Sequence, residues 1–113
     1  MADEARTLLA DYRMGRLTPV VPALLFVEIL DVAGRRWRWG HGLLLQLLSD
    51  WEDLGFEVAE PDLPTVAAWV ARGLTAYDAV YVSLAEKLGI GLLTSDREIL
   101  EVAAEIAVPL SGL

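Results

Sequence analysis

Three carboxylates carry the chemistry that this chain offers. Glu28 lies within Leu24-Leu25-Phe26-Val27-Glu28-Ile29-Leu30, and Asp78 within Leu74-Thr75-Ala76-Tyr77-Asp78-Ala79-Val80-Tyr81. Asp96 directly follows Leu92-Leu93-Thr94-Ser95. A carboxylate drawn into an apolar setting loses its hydration and stays ionised only if it gains a cation or strong donors. Lys87 is the sole lysine, and no arginine stands in sequence to answer all three acids. Convergence on one divalent metal would answer them together.

Each acid also has a plainer local reading. Asp78 follows Thr75 by three residues, so the pair reads as a capping box serving only a helix start. Asp96 reads as an N-cap after a strand, as does Ser95 with Glu98 three residues on. Glu28 has Leu24, Leu25, Asp31 and Val32 as helical neighbours, and its alternative is the solvent edge of the apolar stripe. Against these stands a topological rule: in open parallel sheets, ligands bind where strands end. A helix N-terminus also stabilises a ligand carboxylate, so cap and site roles are compatible for Asp78.

The elements that must position these acids are legible in outline. Asp3 begins a helical pattern with Ala5, Leu8, Leu9 and Tyr12 on one face, closed by Gly15. Leu17 to Val21 reads as a short strand weakened by Pro19. Pro22 opens a helix running to about Ala33, with Gly34 as its stop. A leucine-rich helix carries Leu43, Leu44, Leu47, Leu48 and Trp51. Phe56 to Ala59 alternates as a half-buried strand does. Asp62-Leu63-Pro64 opens a helix with Val66, Trp69 and Val70, closed by Gly73. Thr75 caps the next, which carries Tyr77, Val80, Tyr81, Leu84 and Leu88 and ends at Gly89. Gly91 to Thr94 is a strand, about Arg97 to Ala104 a helix, and Ile106 to Leu110 a final strand. Strands alternating with helices predict the α/β class, with a parallel sheet covered on both faces.

Composition bounds the function. The 113 residues suit one domain, and 55% hydrophobic residues suffice for a core. With no cysteine, disulfides, zinc–thiolate sites and cysteine nucleophiles are excluded, which fits a cytoplasmic protein. The single histidine, His41, cannot build a multi-histidine site and reads as a loop or helix-start residue. No apolar run approaches the ~20 residues of a membrane span, and the first residues do not resemble a signal peptide. A net charge of −8 argues against a broad basic face for nucleic acid and favours a basic protein partner. It leaves room for a metal-dependent nuclease, whose cations offset the local carboxylates. Arg35, Arg36 and Arg38 alternate with Trp37 and Trp39. This reads either as an RNA-stacking patch or as a solvated loop with its tryptophans packed on the core. Tyr77 and Tyr81 read as packing residues. Thr94 and Ser95 are candidates for a hydroxyl near a metal.

The stretch from Leu74 to Ala85, followed by Leu92-Leu93-Thr94-Ser95-Asp96, resembles the PIN-domain family, and within it the VapC-type toxin ribonucleases. Val21-Pro22-Ala23 with Glu28 on the following helix matches a second family motif. The resemblance implies a three-layer α/β/α sandwich around a parallel sheet. It implies acids that bind Mg²⁺ or Mn²⁺ and activate water to cut RNA, with an antitoxin protein as partner. Carried over residue by residue, Glu28, Asp78 and Asp96 are the expected catalytic metal ligands. The family ordinarily begins with a central strand ending in a further ligand Asp. This chain opens in what resembles the helix after it, so residues 1–113 are expected to form a single N-terminally truncated domain with reduced or lost activity. Neither Asp3 nor Asp11 ends a strand, and neither is expected to replace that acid. The rival reading is a catalytically inactive PIN-like protein-binding module. A receiver-like phospho-acceptor ranks far behind, because Lys87 is placed mid-helix rather than near the last strand. Exposed sheet edges and the apolar composition predict a homodimer or larger assembly, with Leu8, Leu9, Tyr12, Leu43, Leu44 and Leu47 as contacts.

Overall fold

The structure is a computed structural model that describes residues 19–94 and 96–109. They fall into two compact units, one reaching to Ala59 and the other starting at Glu60. The helix expected from Asp3 to Gly15, with Leu8, Leu9 and Tyr12, lies outside the described residues, as does Ser95.

The first unit runs β1 (Val20–Val21), α1 (Ala23–Arg35), α2 (His41–Leu54) and β2 (Glu57–Val58). Pro22 sits just ahead of α1 in extended conformation, and its carbonyl accepts from Leu25 N–H at 3.1 Å. Gly34 does not stop this helix, which continues through Arg35. A mid-helix glycine costs only about 1 kcal/mol, which tertiary packing can override. A Cβ at Gly34 would stand 3.7 Å from Leu44 Cδ1, an ordinary contact with α2. The rings of Phe26 and Trp51 meet edge to face at 4.8 Å, joining the two helices. β2 then returns parallel to β1, with Val20 opposite Glu57 and Val21 opposite Val58.

The second unit runs α3 (Leu63–Ala71), α4 (Ala76–Leu88), β3 (Leu92–Thr94), α5 (Arg97–Val102) and β4 (Ala107–Pro109). Its core is Val66 and Trp69 from α3, Leu74 from the turn, Ala79 and Val82 from α4, and Ile99 and Ala103 at α5. Leu92 and Ala107, paired across β3 and β4, pack against that cluster. Gly73 makes the α3–α4 turn possible: its φ of +114° suits a residue without a side chain. Leu74 then drops into the core and its N–H returns to Trp69 O at 3.3 Å. β3 and β4 are parallel and joined through α5. Both strand pairs thus take the strand–helix–strand form, consistent with the predicted α/β/α architecture.

The β3–β4 pair is close enough to need a glycine beside it. A Cβ at Gly91 would lie 2.8 Å from Val108 Cγ2, which belongs to a stiff β-branched side chain. Gly91→Ala is expected to destabilise the protein by about 1–3 kcal/mol in urea denaturation. Adding Val108→Ala should recover part of that loss. Equal stability of Gly91→Ala and wild type would mean that the strands separate freely.

Candidate functional site

Asp78 occupies the first turn of α4 and is half-buried. Thr75 is the N-cap, and its hydroxyl accepts from Asp78 N–H at 3.2 Å. A full capping box would return a bond from Thr75 N–H to the Asp78 carboxylate. That second half is not formed: among the described residues the carboxylate has neither a hydrogen bond nor an ion pair. Its place in the first turn of the helix suits a negative charge. The cap therefore does not use up the acid.

Asp96 stands where β3 ends and α5 begins. It is the N-cap of α5, with Oδ1 accepting from Ile99 N–H at 3.0 Å. Its own N–H donates to Thr94 Oγ1 at 3.0 Å, which engages that hydroxyl in holding the turn. The side chain is exposed, leaving Oδ2 available. Cap and ligand roles are compatible here, because a carboxylate has about four lone-pair sites.

Glu28 belongs to the first unit, on an exposed position of α1. His41 is the first residue of α2 and is exposed, as a helix-start residue should be. Tyr77 departs from expectation. It is 65% exposed rather than packed, because its position beside Asp78 faces away from the core that Ala79 and Val82 fill.

Carboxylate oxygens are hard donors that suit Mg²⁺ or Mn²⁺. The open carboxylate of Asp78 and the half-used one of Asp96 fit such an ion in chemistry. Among the described residues, no three His, Asp or Glu side chains gather as a metal's ligand set.

A second polar group escaped sequence reading. Trp69, almost wholly buried, donates from Nε1 to Glu86 Oε2 at 2.9 Å. The Arg72 guanidinium lies 4.2 Å over the Trp69 ring, bonds Glu105 Oε1 at 2.7 Å and donates to Val102 O at 2.8 Å. That contact holds the Glu105 carboxyl below its ordinary pKa. With Pro64, Thr65 and Ala68, the residues Trp69, Arg72 and Glu86 line an open groove of about 320 Å³. No sequence signal marks this group, because Glu86 is 17 residues from Trp69 and Glu105 is 33 from Arg72. Nearby, Asp62 caps α3 with one oxygen, accepting from Thr65 N–H at 3.2 Å and from its hydroxyl at 2.7 Å. These bonds hold the Asp62 carboxyl below its ordinary pKa.

Among the described residues no helix is long and apolar enough to cross a membrane. A 38-residue segment is 51% identical to Ribonuclease VapC3 of Pyrobaculum aerophilum, covering 34% of this chain and 29% of that protein. The match therefore spans less than a third of the relative's length. No solved structure matches the chain. The family profile described as PIN domain matches residues 1–105. With that match over nearly its whole length, and with parallel strands connected through helices, the chain belongs to the PIN-domain family.

Proposed function

We propose that this protein is a metal-dependent endoribonuclease of the VapC-like toxin–antitoxin type, acting in the cytoplasm. The observation that carries the reading is the Asp78 carboxylate. It is half-buried at a helix N-terminus, and the cap that its sequence predicts leaves it unengaged. The partial identity to a VapC ribonuclease supports the same reading. Glu28, Asp78 and Asp96 are the proposed ligands of Mg²⁺ or Mn²⁺, either directly or through water. A bound metal of this kind polarises the scissile phosphate and lowers the pKa of water. Asp78 and Asp96 supply the negative charge that retains the ion, and none of the three attacks RNA.

The test is cleavage of a single-stranded RNA with Mg²⁺ or Mn²⁺, together with direct Mn²⁺ binding by calorimetry. Metal-dependent cutting that chelator abolishes and added Mn²⁺ restores is the expected result. The second reading, an inactive PIN-like protein-binding module, is favoured by the lack of a gathered ligand set among the described residues. Absence of both Mn²⁺ binding and cleavage would establish it over the first.

We also infer a homodimer or larger assembly, with a basic antitoxin protein as a further partner. Leu43 is 56% exposed on α2, and Leu44 and Leu47 beside it are only half-buried. Leu43→Glu is expected to shift the light-scattering mass toward the monomer. An unchanged mass would remove α2 from the interface.

A further inference from the structure

The segment joining α1 to α2 holds an unusual concentration of cation and aromatic surface. The chain carries nine Lys and Arg against seventeen Asp and Glu. Three of those nine, Arg35, Arg36 and Arg38, fall within four residues, with Trp37 and Trp39 between and after them. Trp37 is 56% exposed, so it does not pack on a core. Its ring is nevertheless held, with its centroid 5.4 Å from that of Trp39 and the planes tilted by 49°.

The backbone that presents it is tied down. Arg36 and Trp37 N–H groups both reach Val32 O, at 2.9 and 3.3 Å, and Trp39 N–H reaches Ala33 O at 3.1 Å. Arg38 sits between them with φ of +59°, the left-handed region in which a non-glycine residue is strained. Arg35 shares its charge with Asp31 at 3.7 Å. Arg36 and Arg38 are exposed and make no ion pair among the described residues. Two guanidinium groups with no ion pair among the described residues therefore flank one exposed, oriented indole.

We propose that Arg36, Trp37 and Arg38 form a contact site for single-stranded RNA. Trp37 stacks on an unpaired base, and the two arginines meet the flanking phosphates. This pairing of an aromatic face with cations is how proteins hold single strands without reading sequence. It also resolves a conflict of charge: a chain of net −8 repels a polyanion generally, so a substrate strand must enter at a local cationic patch. The proposal rests on the ribonuclease reading for its substrate and deepens it.

The test is fluorescence anisotropy of a fluorescein-labelled single-stranded oligoribonucleotide, with EDTA present so that nothing is cut. Trp37→Ala is expected to weaken binding about tenfold. Arg36→Ala with Arg38→Ala should lower the slope of log K against log salt by about 1.4, the value for two phosphate contacts on a single strand. Duplex RNA should compete poorly, because its bases are not free to stack. Arg38→Gly removes the left-handed strain together with the charge, so a higher Tm with weaker binding is expected. A purely structural role for Arg38 would not separate these readouts.

Unchanged affinity and salt slope in all variants would overturn the proposal. So would unchanged RNA binding with an altered light-scattering mass, which would make the patch a protein contact. Failure of the ribonuclease reading looks different: RNA binds at this patch, the variants lose it, and no metal brings about cleavage.

Discussion

Asp96→Asn is expected to abolish metal-dependent RNA cleavage while leaving the protein nearly as stable as before. The separation follows from the two roles of one side chain. As N-cap of α5, Asp96 accepts a hydrogen bond from Ile99 N–H. Asparagine caps a helix about as well as aspartate, because its carbonyl oxygen accepts the same bond. The change therefore removes charge and keeps geometry. Losing the negative charge at a helix N-terminus costs about 0.3–1 kcal/mol. A divalent cation depends on that charge. Even residues that only support a ligand cost 10–100-fold in metal affinity or activity, so a fall of at least about a hundredfold in cleavage is expected. Mn²⁺ affinity should drop with it.

Asp78→Asn should behave in the same way, since its carboxylate takes no part in the Thr75 cap bond. Asp62→Asn is the control. Asp62 also caps a helix and is also exposed, but its acceptor oxygen is held by both the N–H and the hydroxyl of Thr65. Its variant should retain cleavage and Mn²⁺ binding. Equal damage from Asp62→Asn and Asp96→Asn would show that loss of negative charge at a helix start, rather than of a ligand, was being measured. Full cleavage by Asp96→Asn would remove it from the site.

The largest effect on stability is expected from Trp69→Ala. Trp69 is 4% exposed and belongs to the cluster that joins α3, α4 and α5. Its removal loses the transfer energy of the indole and leaves a cavity, together about 3–5 kcal/mol. Domains of this size have only about 5–15 kcal/mol of stability, so the loss takes a large share of it. The polar consequences are smaller. Glu86 loses the indole N–H but is exposed, so water can replace the bond. Arg72 loses its ring face but keeps Glu105 and the Val102 carbonyl. Trp69→Phe refills much of the volume and should cost much less than the alanine variant. Urea denaturation at neutral pH measures both. A loss below about 1 kcal/mol for Trp69→Ala would mean that the indole is not central to this core.

The Arg72–Glu105 contact gives this region a direction with pH. The folded-state pKa of Glu105 lies below its ordinary value, so the contact contributes above the ordinary carboxylate range. That contribution disappears as pH falls through the folded-state pKa. Asp62 follows the same sign through its Thr65 bonds.

What the sequence determined by itself was local or carried by family motif. The caps by Asp62 and Thr75, the turn at Gly73 and the strand–acid junction at Asp96 were legible because each depends on residues three or four apart. The α/β class was legible because alternating elements with parallel pairing leave a periodic trace, and the Tyr77-Asp78-Ala79 and Thr94-to-Asp96 motifs carried the family. Tertiary structure alone decided what depends on distant partners. Gly34 looked like a stop, yet α1 continues because its packing with α2 outweighs the intrinsic cost of glycine. Asp78 had two local readings, and only the geometry showed a cap whose return bond is not made. Trp37 was equally readable as core or as surface, and the fold left it outside. Trp69, Arg72, Glu86 and Glu105 have no common sequence signature; the packing of α3 on α4 and α5 brings them together. Helix starts and turns involve bonds between near neighbours. Burial, and the partners a charge finds, are set by chain segments that sequence distance does not reveal.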